Sequence, residues 1–122
     1  MRSLLRLGCL IILASAYPAA ASAQAGPSEA LFAQRCQMCH TNSANGRPGI
    51  GPNLYGLNGR VAGTQKGFSY STALKASKVT WNAASLDKFL QAPNKMVPGT
   101  RMVIAVPDAD KRALLVRYLT KK

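Results

Sequence analysis

Histidine occurs once in this chain, at position 40, tryptophan once, at 81, and cysteine three times. A structural zinc needs four ligands, so a lone imidazole near a cysteine pair argues against a zinc site. Acidic residues are equally scarce. Glu29, Asp87, Asp108 and Asp110 stand against 16 lysines and arginines, a formal charge of +12. Also missing is an apolar run of the roughly 20 residues that span a bilayer. The longest runs from Leu4 to Tyr17.

That run follows Arg2, contains Arg6, and is succeeded by the small residues Ala21-Ser22-Ala23. A basic start, a short apolar stretch and a small-residue cleavage site make an export signal. We therefore expect residues 1–23 to be a signal peptide and 24–122 the mature domain, in the periplasm. Cys9 falls inside the signal and reads as one of its apolar residues. The mature chain keeps 14 basic residues against four acidic ones, a charge of +10. Such a surface suits acidic proteins or anionic lipid. Nucleic acid is not expected, because no basic run interleaved with aromatics and no reader motif is present.

A mature chain of 99 residues has a marginal core, which exported domains of this size usually offset with disulfides or a metal centre. Only Cys36 and Cys39 remain after the signal, and a loop that small cannot staple a domain. Helical signals are clear at three places. Ser28 to Cys39 carries Ala30, Leu31, Phe32 and the cysteines, with Ser28 as a candidate cap. Ala83 to Ala92 places Leu86, Phe89 and Leu90 on one side and stops at Pro93. After Pro107, taken as a first helical position, Leu114, Leu115, Tyr118 and Leu119 form a stripe at helical spacing. Asp108 and Asp110 begin that last helix and Arg117, Lys121 and Lys122 end it, each suited to its end of the dipole. Thr72 to Ser77 reads as a short extra turn.

Between Thr41 and Gly67 periodicity vanishes, and seven of the ten glycines lie there. A loop of that length is unusual inside a compact domain. Yet Leu54, Tyr55, Leu57, Phe68 and Tyr70 along and just after it are too apolar for a disordered tract. A large buried cofactor resolves the conflict.

Cys36-Gln37-Met38-Cys39-His40 supplies its attachment. On a helical turn the two thiols share a face and His40 follows within the same turn. Two thiols so placed form thioethers with the vinyl groups of one haem, and the imidazole binds its iron: the c-type attachment pattern. A thioredoxin-like redox pair would need a strand before the cysteines, and a structural disulfide gives no reason for the adjacent histidine. The iron then needs a sixth ligand or an open site, and the candidate ligands are Met96 and Met102, since Met38 lies within the attachment turn. Met102 is preferred because Val97-Pro98-Gly99-Thr100 is a stiff lead-in to a loop. A thioether ligand favours ferrous iron, raises the potential and closes the site to small ligands.

From about Ser28 to Leu119 the chain resembles the class I cytochromes c of the mitochondrial and bacterial photosynthetic type. The resemblance rests on Phe32, on Cys36 to His40, on Gly51-Pro52-Asn53-Leu54 and on Gly56-Leu57-Asn58-Gly59-Arg60. It continues through Gly67-Phe68-Ser69-Tyr70, Thr80-Trp81, Pro98-Gly99-Thr100-Arg101-Met102 and the last helix with Tyr118. It implies an all-α fold, with several helices wrapped around one covalently bound haem c and the first and last helices crossing. It further implies His40 and Met102 as axial ligands, Pro52 as acceptor of a hydrogen bond from His40, and Arg60, Tyr70 and Trp81 around the haem propionates with Thr100 assisting. The implied function is single-electron transport, not enzymatic turnover. The implied partners are acidic surfaces of larger redox proteins: membrane cytochrome complexes, oxidases, reaction centres or dehydrogenases. Transient contact with a membrane surface fits the charge, and nothing calls for more than a monomer.

Three positions depart from the family pattern. Phe89 stands where a tyrosine is frequent, Leu74 where many members have asparagine, and Ser28 in place of glycine at the helix crossing. The first two remove polarity near the iron and imply a differently tuned potential. Lys66, Lys75, Lys78, Lys88, Lys95, Arg35, Arg47 and Arg101 are the pool from which a docking ring would be drawn.

Overall fold

The computed structural model describes residues 25–121, and the expected signal over residues 1–23 lies outside them. Five helices follow in order: α1 Pro27–Arg35, α2 Thr72–Ala76, α3 Ala83–Gln91, α4 Pro93–Met96 and α5 Ala109–Thr120. Among the described residues there is no β-strand, only an isolated bridge between Val61 and Thr80. The all-α fold expected from the sequence is the one observed.

Local chemistry sets the helix ends. Gly26 precedes α1 and Pro27 opens it, so the cap lies before Ser28, and no side chain caps this end. Proline suits a first turn because its missing N–H would be unpaired there anyway. The helix stops at Arg35, shorter than expected, because Cys36 leaves helical geometry at φ −122°. Helix α3 starts in a capping box, with Asn82 accepting from the Ser85 backbone and Ser85 from that of Asn82, both at 2.9 Å. Asp108, not Pro107, bounds α5: its carboxylate accepts from the Lys111 N–H at 3.0 Å, and the helix proper begins at Ala109. A four-residue helix after Pro93 was not foreseen; Pro93 ends α3 and starts α4 in one step.

One core joins these elements. Phe32 of α1, Leu86, Phe89 and Leu90 of α3, and Leu115, Val116 and Leu119 of α5 are buried together with Leu57, Trp81, Val97 and Val106. Helix α1 packs on α5, where Phe32 and Tyr118 meet at 5.3 Å between ring centroids, and α3 packs on α5 as well. Each buried side chain of this size contributes about 1.5–3 kcal/mol. The half-buried Ser28 leaves the α1–α5 packing intact.

The glycine-rich segment is ordered by specific bonds instead of a helix. Asn53, only 5% exposed, donates to the carbonyls of Ser43 and Gly46 at 2.9 and 3.0 Å and accepts from the Tyr55 N–H at 3.1 Å. Residues 59–62 then run antiparallel to 79–81: Gly59 N–H to Trp81 O at 2.7 Å, Trp81 N–H to Arg60 O at 2.9 Å, Ala62 N–H to Val79 O at 2.7 Å.

Candidate haem site

Cys36 to His40 forms a tight turn beyond α1. The Cys36 and Gln37 N–H groups both donate to the Phe32 carbonyl, and the Cys39 and His40 N–H groups both donate to the Cys36 carbonyl, at 2.8–3.1 Å. The two thiols are half-buried and not joined to each other. Burial pushes the Cys36 thiol up to about 11, with the Arg35 charge opposing and Cys39 adding to the rise. A thiol held neutral is a poor redox nucleophile and a poor metal ligand.

His40 is fixed from behind. Its Nδ1–H donates to the Pro52 carbonyl at 2.8 Å, which leaves Nε2 as the nitrogen available to a metal. Burial lowers its pKa, against the hydrogen bond to Pro52 that raises it. Gly51 makes the approach of the ring possible. A Cβ at that position would stand 2.3 Å from His40 Cε1 and 2.6 Å from Nδ1. Two residues beyond His40, the Asn42 Nδ2 is buried without a hydrogen-bond partner among the described residues.

The remaining expected residues fall into two groups. Arg60 donates to the carbonyls of Asn53 and Tyr55 at 3.1 and 3.2 Å and also to the Gln65 side chain. Its charge opposes the burial that raises the Tyr70 pKa, so the two side chains are close enough to couple. Burial in turn lowers the Arg60 pKa, which Tyr70 opposes. Trp81, 7% exposed, is brought beside Arg60 by the backbone pairing. Thr100 is buried on the segment that leads to Met102, and its neighbour Arg101 donates to the carbonyls of Ser69 and Tyr70 at 2.7 and 3.4 Å. Met96 and Met102 both pack against the core, while Met38 is 89% exposed.

These residues fit a porphyrin-borne iron and do not fit a bare ion. Among the described residues no three His, Cys, Asp or Glu side chains converge to hold a metal. An iron that arrives with four equatorial nitrogens needs only axial donors, and two thiols not joined to each other beside the histidine suit thioether attachment. An open cleft of about 510 Å³ lined by Phe32, Gln37, His40, Asn42 and Tyr118 touches neither cysteine nor Met102, so it is not where such a group would be tied.

No family model matches the chain. Individual relatives do. The cytochrome c of Chlamydomonas reinhardtii is 44% identical over 92 residues, 75% of this chain and 82% of that protein. The cytochrome c2 of Rhodomicrobium vannielii is 39% identical over 111 residues, 90% of this chain and 86% of that one. The chain belongs to the cytochrome c family. The structure of cytochrome cH from Methylobacterium extorquens agrees, with a TM-score of 0.70 at 39% identity over 78% of this chain and 95% of that one. This cytochrome is thus a c-type haem electron carrier, its haem attached covalently through Cys36 and Cys39.

Sequence reasoning missed several contributors to the site. Asn53 was visible only as part of a motif, and its role as organiser of the loop depends on three side-chain bonds to backbone two to ten residues away. Arg112 carried no signal beyond its place in a helix, yet it is 8% exposed and bonds Asp87. Ile50, Val103 and Ile104 are apolar and 61–77% exposed, which a hydrophobicity pattern cannot foresee.

Proposed function

We propose that this cytochrome is an exported periplasmic carrier in which His40 and Met102 are the axial ligands and Arg60, Tyr70, Trp81 and Thr100 surround the propionates. The bond from His40 Nδ1–H to Pro52 carries the reading, because it fixes the tautomer and leaves the Nε2 lone pair available. When bound, the haem iron supplies a one-electron ferrous–ferric couple. The residues do the rest. His40 and Met102 would hold the iron, and keeping both in each oxidation state would keep reorganisation small. A Met102 thioether would favour the ferrous form and raise the potential. Arg60, a fixed cation beside the Tyr70 hydroxyl, is suited to compensate carboxylates that burial would otherwise penalise. No substrate bond is made or broken, so the protein is a carrier and not an enzyme.

Export through cleavage near Ala23 leaves a monomer with a basic surface, and no helix among the described residues is long and apolar enough to cross a membrane. Its partners are acidic faces of larger redox proteins, with an anionic membrane as a transient second surface. Potentiometric titration of the exported protein tests the reading. A one-electron Nernst curve, with a thioether-to-iron absorption band in the ferric form that is lost in Met102→Ala and kept in Met96→Ala, is expected. A ferric form without that band overturns the ligand pair.

A further inference from the structure

Met102 lies on a strap that is hydrogen-bonded to the rest of the fold at its two ends. At the entry, the Thr100 N–H donates to Val97 O at 3.0 Å and the exposed Arg101 reaches the Ser69 and Tyr70 carbonyls. At the exit, Val106 is buried and its N–H donates to Leu90 O at 2.7 Å.

The exit has a second fastening from outside the strap. Arg112, on α5, donates from Nη1 to the carbonyls of Val106 and Pro107, both at 3.0 Å. Its Nε donates to Asp87 Oδ1 on α3 at 2.7 Å, and its side chain is 9% exposed. One guanidinium therefore ties the end of the strap to two helices at once. Its planar fork suits such multiple acceptors better than a lysine would. A buried guanidinium deprived of its carboxylate is strongly unfavourable, so Asp87 holds Arg112 in the pose that grips the strap. The two arginine fastenings are unequal. Water competes for the Ser69 carbonyl held by exposed Arg101, whereas the Val106 carbonyl held by Arg112 is buried.

We propose that Arg112, anchored by Asp87, is a positioning residue that fixes the exit of the strap and thereby sets how firmly the Met102 thioether is held on the iron. This rests on Met102 being the axial ligand. For the strap to swing away, both Arg112 bonds and the Val106 bond must break or distort. The entry gives way first and the exit determines the extent of opening.

The test follows the thioether-to-iron band of the ferric haem-loaded protein through an alkaline titration, in which deprotonated lysines and hydroxide compete for the sulfur's position. Asp87→Asn and Arg112→Lys are expected to lower the pH midpoint of band loss by about one unit, a tenfold change in the opening equilibrium. Asp87→Glu is expected to recover at least half of that shift. Leu31→Ala, which thins the α1–α5 groove that Leu31 lines with Leu114, serves as a variant destabilised away from the strap. It is expected to lower the unfolding midpoint and leave the pH midpoint unchanged. The inference is overturned if Asp87→Asn shifts the pH midpoint no more than Leu31→Ala does at equal loss of stability. A wild-type protein without the band overturns the ligand assignment and this inference together; a band present and indifferent to Asp87 overturns this inference alone.

Discussion

His40 and Pro52 are twelve residues apart and joined by a 2.8 Å hydrogen bond from the imidazole Nδ1 to the proline carbonyl. Proline suits this place, since it fixes its own φ and presents the carbonyl from a stiff backbone. Gly51, immediately before it, leaves the room that the ring fills. The bond therefore depends on a side chain that is absent as much as on the atoms that are present.

Adding one carbon at Gly51 should break this arrangement. Gly51→Ala places a Cβ 2.3 Å from His40 Cε1, and the backbone bonds of Gly51 to Cys39 and Gly49 restrict relief. We expect the haem-loaded fraction of exported protein to fall several-fold at equal expression, measured by haem absorbance per polypeptide. An unchanged fraction would show that the loop gives way easily.

The departures at Phe89 and Leu74 predict a shift in potential. Phe89 is 5% exposed and meets Trp81 edge-on at 5.1 Å, so a tyrosine hydroxyl there enters a packed apolar region. Phe89→Tyr and Leu74→Asn should each move the midpoint by about 20–60 mV, a factor of roughly two to ten for a one-electron couple. Two unmoved midpoints would remove these residues from the tuning of the iron.

Charge predicts a salt-dependent encounter. The excess of basic residues should raise the on-rate toward an acidic redox partner by about 10–10³ at low salt. That gain should fall steeply as ionic strength approaches about 0.15 M, where the screening length is near 8 Å. Stopped-flow oxidation measured across this range checks it, and a flat profile would contradict electrostatic steering.

Asp108 predicts a pH dependence of stability. Its hydrogen bond from the Lys111 backbone, aided by the Lys111 and Arg112 charges and opposed by slight desolvation, holds its carboxyl below the ordinary 3.8. The unfolded chain therefore takes up the proton first. Its contribution is present above the unfolded value and is lost as pH falls through the folded one. Asp108→Asn keeps a capping oxygen without the titration, so the stability difference between the two proteins should shrink as pH drops from 6 to 3 in denaturant melts.

The sequence made the helices with strong apolar spacing legible: α1, α3 and α5 lie where Phe32, Leu86–Leu90 and Leu115–Leu119 place them. Their ends were less so. The apolar cysteines extend the pattern of α1 to Cys39, but the bonds of residues 36–40 close a turn instead. Pro107 looked like a first helical residue, and the Asp108 side-chain cap moved the start one step on. The attachment motif was legible because its chemistry is local, four residues and a histidine in a row. The Asn53 bonds, the pairing of 59–62 with 79–81 and the Arg112 grip were not, since each joins segments that only the folded chain brings together.

The most direct measurement is haem absorbance of the purified mature protein after full denaturation, alongside Cys36→Ser/Cys39→Ser. The account predicts that colour stays with the wild-type polypeptide through denaturation and separation, and that the double variant loses it. A colourless wild-type chain that is nevertheless compactly folded would contradict it.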